Sequence, residues 1–253
     1  FLVFLILNFT LDCFSQTEFI TTWETTTASE SITIPTTGGS YNYNVDWGDG
    51  SPNDTGVTGN ISHVYAAANT YTVTITGTFN RIYFNNDSTN APKIQSVEQW
   101  GNTRAWTNMT DAFEGCSNLV NNATDVPVLT SASSLQRMFR NATSIGNGSA
   151  TNWNSWNLSN ISNMSQMFRG AASFNVDLNS WNTSNVTNMS NMFRDASAFN
   201  GNISSWVTSS ATNMSQMFRG ATNFNQNIGT WTTNSVTNMS SMFRDATAFD
   251  QNI

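Results

Sequence analysis

The feature that most constrains this chain is a tripeptide that keeps returning. Met-Phe-Arg occurs at 138–140, 167–169, 192–194, 217–219 and 242–244, at offsets of 29, 25, 25 and 25 residues. Trp156, Trp181, Trp206 and Trp231 keep the 25-residue interval, as do Phe174, Phe199, Phe224 and Phe249. A period of this length marks a repeat architecture, in which one unit cannot bury its apolar face alone and its neighbours must cover it. Two degenerate units precede the clear copies. In the first, 109–119, Leu119 takes the place of Phe174; the second lies at 135–139. The four extra residues before Trp156 fall in 146–149 and read as a loop insertion. A weaker 50-residue period runs through the copies. Residues 163–171 and 213–221 are identical, whereas 188–196 and 238–246 carry Arg-Asp where those have Arg-Gly, which points to duplication of a two-unit block.

Each unit has a physical reading. Asn188 is a good helix N-cap, and Met189, Met192 and Phe193 follow at i, i+3 and i+4, one face of a short helix. Phe199–Ile203 alternates as a short strand does, with Phe199 and Ile203 on one side and Asn200 and Asn202 on the other. Stacked units then make a solenoid with a continuous Met/Phe/Ile/Trp core. The helical spacing of the methionines beside Phe193 is explained by packing without a soft metal. Cys116, in the place of Ala171 and Ala196, reads as a packed, inert thiol.

Composition narrows the function classes. Of 253 residues, 37 are Asn, 35 Thr and 31 Ser, while only 10% are charged, against roughly 25% in an average soluble domain. Aromatics make up 12%, which argues against disorder. A net charge of −7 without a Lys/Arg cluster argues against nucleic acid. One His, one Lys and two Cys leave few catalytic tools.

Upstream of the repeats the pattern changes twice. Residues 1–11 are apolar apart from Asn8 and too short to span a bilayer. They read as the hydrophobic part of a secretory signal whose start is expected before residue 1, with cleavage after Gln16. Cys13 is a weak lipidation candidate because Asp12 precedes it, and a buried N-terminal strand is the bland alternative. The mature chain then has no membrane span and one thiol, so no internal disulfide. Residues 17–84 are rich in Thr, Tyr, Val and Ile with period-2 alternation, clearest in Tyr71-Thr72-Val73-Thr74-Ile75-Thr76. Strands separated by turns such as Gly48-Asp49-Gly50-Ser51-Pro52 predict an antiparallel sandwich. Residues 85–104 are left as a linker or cap, and 105–253 as the repeats.

Two resemblances follow from these residues. Val45-Asp46-Trp47-Gly48-Asp49-Gly50, His63-Val64-Tyr65 and Asn69-Thr70-Tyr71-Thr72-Val73 resemble, in order, the turn and strands of the PKD domain, with Asn69 where that family commonly has Gly. The resemblance implies an Ig-like β-sandwich that acts as an extracellular spacer or contact module. The Asn-Met-Ser-x-Met-Phe units resemble the BspA-type leucine-rich-repeat surface proteins over 105–253. That resemblance implies a bacterial, exported adhesion protein, and with the PKD-like module a surface protein of the Bacteroidetes kind. The expected fold is mainly β: a PKD-like sandwich, then a leucine-rich-repeat-like solenoid of short strands and short helices. The chain stops in mid-unit at Ile253, so further repeats are expected beyond it.

The expected function is non-enzymatic binding at the cell surface or after secretion, to an extracellular protein or glycan, with this fragment monomeric. The alternatives are an extracellular spacer or matrix component, and the non-catalytic part of a larger secreted enzyme. The candidate ligand surface has two rows. Asn175 and Asp177, Asn200 and Asn202, and Asn225 and Asn227 are amide ladders about 4.8 Å apart, which either bond along the stack or face a ligand. Arg169, Arg194, Arg219 and Arg244, with Arg140 before them, form a row of like charges that Asp195 and Asp245 or an anionic ligand must offset. No cofactor is expected. Asp46 and Asp49 are candidate calcium ligands, or else bond the amides of their own turn. His63 has no recognisable catalytic partner.

Overall fold

A computed structural model describes residues 17–253. The leader expected at 1–16, with Cys13, lies outside the described residues. The protein is mainly β. Strands β1 (Phe19–Thr25), β3 (Asn42–Asp46), β4 (Asp54–Val57), β6 (Asn69–Thr78), β7 (Ile94–Gln99) and β8 (Val120–Asn121) form a mixed six-stranded sheet in the order β4-β3-β6-β1-β7-β8. All neighbours are antiparallel except β7 and β8. Strands β2 (Glu30–Ile34) and β5 (Ile61–Tyr65) form a separate antiparallel pair. Among the described residues there is no α-helix, and none long and apolar enough to cross a membrane.

The alternation read in the sequence places the sheet core. β6 buries Tyr71, Val73 and Ile75, and β3 buries Tyr43 and Val45 beside it. β1 lies between β6 and β7, and Thr21 and Thr25 are buried with Phe19 and Trp23 on one face, while Glu24 on the other is exposed. The Thr21 hydroxyl accepts from Trp23 Nε1 at 2.8 Å, which satisfies the buried indole. Ile32 and Ile34 of β2 join the same core. β7 occupies part of 85–104, and with β8 it carries the sheet into the repeats. Trp100, at the end of β7, meets Phe113 at 5.8 Å and Trp156 at 5.7 Å, both edge-on. Arg104 anchors the same junction, donating to the carbonyls of Ile75, Gly77 and Phe79 at the end of β6.

The repeats are built from turns and a cross-unit hydrogen-bond ladder. Within 189–196 every backbone N–H has a partner. Met189, Asn191, Phe193 and Asp195 donate to the carbonyls of Asn213, Ser215, Met217 and Arg219 in the next unit, at 2.7–2.9 Å. Met192, Arg194 and Ala196 donate three residues back, and Ser190 donates to Asn188 Oδ1 at 3.0 Å. The units at 164–171 and 214–221 repeat this pattern. The short helix expected after Asn188 is therefore absent. Asn188 bonds the N–H two residues on, as a cap does, but Asn191 (φ 55°) and Asp195 (φ 59°) are left-handed and break any right-handed helix. Their reversal turns alternate N–H groups outward to the next unit. The strand expected at 199–203 is also absent. That segment meets its neighbours through side-chain oxygens, one backbone bond from the Leu178 N–H to the Asn202 carbonyl at 3.0 Å, and one close approach, where a Cβ on Gly201 would lie 2.0 Å from the Val176 carbonyl.

Aromatic columns fill the interior. Phe113, Phe139, Phe168, Phe193, Phe218 and Phe243 follow one another with ring centroids 5.7–5.8 Å apart. Phe174, Phe199, Phe224 and Phe249 form a second column, and Trp156, Trp181, Trp206 and Trp231 a third. Cys116 lies with the alanines of its column, fully buried, and burial pushes its thiol pKa well up.

One left-handed position explains the 50-residue period. In successive units it is Asn86, Gly115, Asn141, Gly170, Asp195, Gly220 and Asp245, all with φ between 58 and 82°. Each Asx side chain leans over the glycine that follows. A Cβ on Gly115, Gly170 or Gly220 would lie 2.6–2.7 Å from the side-chain oxygen of Asn86, Asn141 or Asp195. A side chain at both places would force the Asx group to move, and glycine and Asx alternate along the series. The series also places one more unit ahead of the repeats read in the sequence. Asn86 donates to the Glu114 carbonyl as Gly115 donates to that of Arg140, and Phe84 heads the phenylalanine column 6.1 Å from Phe113.

The alternation predicts a coupled pair. Gly170→Ala should cost about 1–2 kcal/mol in left-handed strain plus the clash with Asn141. The double variant Asn141→Gly/Gly170→Ala should recover the clash but not the strain. Chemical denaturation of the two singles and the double measures the coupling; additive effects would mean that the side chains do not exclude each other.

Candidate functional site

The outward rows grow from this ladder. Asn175 Oδ1 accepts from the Asn200 N–H at 2.8 Å, Asn200 Oδ1 from Asn225 at 2.9 Å, and Asn225 Oδ1 from Asp250 at 3.0 Å. Asp177 Oδ1 accepts from Asn202 at 2.7 Å. These four side chains bond along the repeats. Asn202 and Asn227 instead close turns in their own units, to Ser204 and Gly229. The amide oxygens are thus engaged in holding register.

The arginine row is arranged differently. The position that carries Arg140, Arg169, Arg194, Arg219 and Arg244 carries Glu114 in the unit before. Arg140 pairs with Glu114 at 3.3 Å, and Arg137 pairs with Asp111 and Glu114. Burial pushes the Glu114 carboxyl upward, and the Arg140 charge opposes it. Asp111 and Arg137 occupy the left-handed place of Asn191, so the acids and Arg137 form a closed cluster at one end of the row. Further along, Arg194 meets Asp195 at 3.2 Å, and Asp245 stands between Arg219 (3.9 Å) and Arg244 (3.5 Å). Amides fill the remaining places. Gln166 accepts from Arg169 at 3.2 Å, and Gln216 accepts from both Arg194 and Arg219, at 2.9 and 3.1 Å. The sequence reading missed Arg137 and the Gln/Asn row, although both sit three residues before the arginines, a spacing that would have shown them.

At the N-terminal turn, both acids bond their own backbone. Asp46 Oδ1 accepts from Gly48 and Asp49 Oδ1 from Ser51, each at 3.0 Å. Asp49 Oδ2 takes His63 Nε2 at 2.8 Å, and the His63 ring lies flat on Trp47. Gly48 has φ 74°, and a Cβ there would lie 2.2 Å from the Thr72 carbonyl, so the turn requires glycine. Among the described residues no group of three or more His, Cys, Asp or Glu is placed to share a metal ion. A concavity of about 500 Å³ opens beside Gly77, Asn80 and Thr107, and both terminal nitrogens of Arg104 at its wall are occupied by carbonyls.

With the geometry set out, the family can be placed. A family model described as "Mycoplasma protein of unknown function, DUF285" matches residues 60–155 and 133–253. The chain belongs to the DUF285 family. This is a BspA-like repeat family, and its match begins upstream of 105, consistent with a ladder that starts at Phe84–Asn86. No curated protein and no solved structure matches the chain.

The turn gives a pH-dependent expectation. Hydrogen bonds from Ser51 and His63 hold the Asp49 carboxyl down at about 2. A depressed carboxyl contributes stability that is complete above its unfolded value, near 4, and is lost as pH falls through about 2. Acid titration of Asp49→Asn by circular dichroism should therefore show less loss of stability between pH 4 and 2 than the parent chain; identical acid limbs would contradict this.

Proposed function

We propose that the chain is a non-enzymatic binding module of a secreted or cell-surface protein. In this reading the repeats form a leucine-rich-repeat-like solenoid that contacts an extracellular protein or glycan. Residues 17–84, read as a PKD-like β-sandwich, hold it away from its anchor. The observation that carries the reading is the set of polar side chains repeated in register: one arginine per unit from Arg140 to Arg244, with an amide or hydroxyl beside it from Gln166 onward, on a scaffold whose ladder fixes their separation. Extended concave or flat surfaces of this kind are what repeat proteins use for binding. The chemistry elsewhere supports a non-catalytic role. Cys116 is sealed in the core and His63 is engaged with Asp49.

A purely structural spacer is the second reading. It is favoured by Asn175, Asn200 and Asn225, which direct their oxygens to the next unit rather than outward. An array of glycans and matrix proteins, probed with the purified chain, separates the two. Saturable binding at micromolar concentration is expected for the adhesion reading; no binding on any spot would overturn it and leave the spacer.

A further inference from the structure

Among the described residues, one arginine of the row has no ion pair of its own. Glu114 and Asp111 neutralise Arg140 and Arg137, Asp195 lies against Arg194, and Asp245 serves Arg219 and Arg244. Arg169 has the Gln166 oxygen, and among the described residues no carboxylate comes within ion-pair distance of it. Asp195, one unit on, stands to Arg169 as Asp245 stands to Arg219, but its ion pair is with Arg194, and it acts on Arg169 only from beyond ion-pair distance. Arg169 is partly exposed between Arg140 and Arg194, and burial, together with those neighbouring charges, pushes its pKa down against the weaker opposing pull of Asp195. Six arginines and four carboxylates line this face of a chain whose net charge is −7. Gln216 shows what the row accepts. Its single oxygen receives two successive guanidinium groups, so an oxygen acceptor fits between adjacent units.

We propose that the stretch Arg140–Arg169–Arg194 is a binding site for an acidic glycan, a chain bearing sulfate or uronate groups, with Arg169 at its centre. The inference rests on the reading of the repeats as a ligand surface. Guanidinium forks pair with sulfate and carboxylate by two parallel hydrogen bonds, and the neighbouring Gln166, Asn191 and Gln216 amides keep N–H donors for sugar hydroxyls. Spacing favours a glycan over an acidic peptide. The backbone ladder advances about 4.8 Å per unit, and the stacked rings 5.7 Å. Same-face side chains of an extended peptide recur at roughly 6.6 Å and lose register within a few units. One acidic group per sugar keeps closer step with one arginine per unit.

The test titrates the full chain with heparin, polygalacturonate, poly-glutamate and neutral dextran, for the parent, Arg169→Gln and Arg81→Gln. The last removes the same charge outside the row. Expected is salt-sensitive binding of heparin or polygalacturonate that Arg169→Gln weakens roughly tenfold, while Arg81→Gln changes it by less than about twofold. Thermal unfolding of Arg169→Gln should be little changed, since no ion pair is lost; this excludes misfolding as the cause. Equal binding by the two variants would overturn the site. Poly-glutamate bound as tightly as either glycan would overturn the glycan assignment in favour of an acidic protein. If no polyanion binds, the site falls, and the glycan and matrix array decides the broader reading: binding there leaves adhesion standing, and none removes both.

Discussion

The repeats depend on how each unit distributes its backbone N–H groups. Alternate groups close turns within the unit and the others reach the next one. The arrangement requires two left-handed residues four positions apart, such as Asn191 and Asp195. Glycine, Asn and Asp hold this conformation at less cost than other residues, for which it is about 1–2 kcal/mol each, and four cross-unit hydrogen bonds return about 1 kcal/mol each. The buried phenylalanine, methionine and tryptophan columns add to that ladder. The columns in turn stay in line because the ladder fixes the register of every unit.

From that constraint much of the sequence becomes intelligible. The period and its apolar members were legible because one unit cannot hide them alone, and Met189, Met192, Phe193, Phe199, Ile203 and Trp206 are all buried. The conformation linking them was not legible. Spacing at i, i+3 and i+4 puts side chains on one face of a helix, but the same spacing arises where left-handed residues punctuate a turn. The signal lay in Gly170, Asp195, Gly220 and Asp245, since glycine and Asx share tolerance of positive φ. The unit at Phe84–Asn86 was hidden because two residues of it keep the pattern and an irregular connection precedes Met109. In the sheet, Tyr71, Val73 and Ile75 were legible from alternation alone, whereas β7 was not. It lies between β1 and β8 and buries both Ile94 and Val97, so its polarity does not alternate cleanly.

The candidate surface was legible in its residues and less so in its roles. Asn175, Asn200 and Asn225 look alike in sequence to side chains that face a ligand, yet their oxygens bridge units; partner choice is set by backbone geometry that the sequence does not display. The arginines could be seen as a row needing compensation, but which arginine lacks an ion pair depends on side-chain distances that the sequence does not display. The low charge has the same origin. Any ionised group recurs in register, so neutral amides and hydroxyls cover most outward positions, and arginine is kept where acids or amides can answer it.

The ladder is tested most directly by native-state hydrogen exchange resolved at single amides. The account predicts that Met189, Asn191, Phe193 and Asp195 exchange slowly and together, at the rate of global opening, with Met164, Gln166, Phe168 and Gly170 matching them. Fast, independent exchange at these amides, as for the unpaired first turn of an isolated helix, would contradict it.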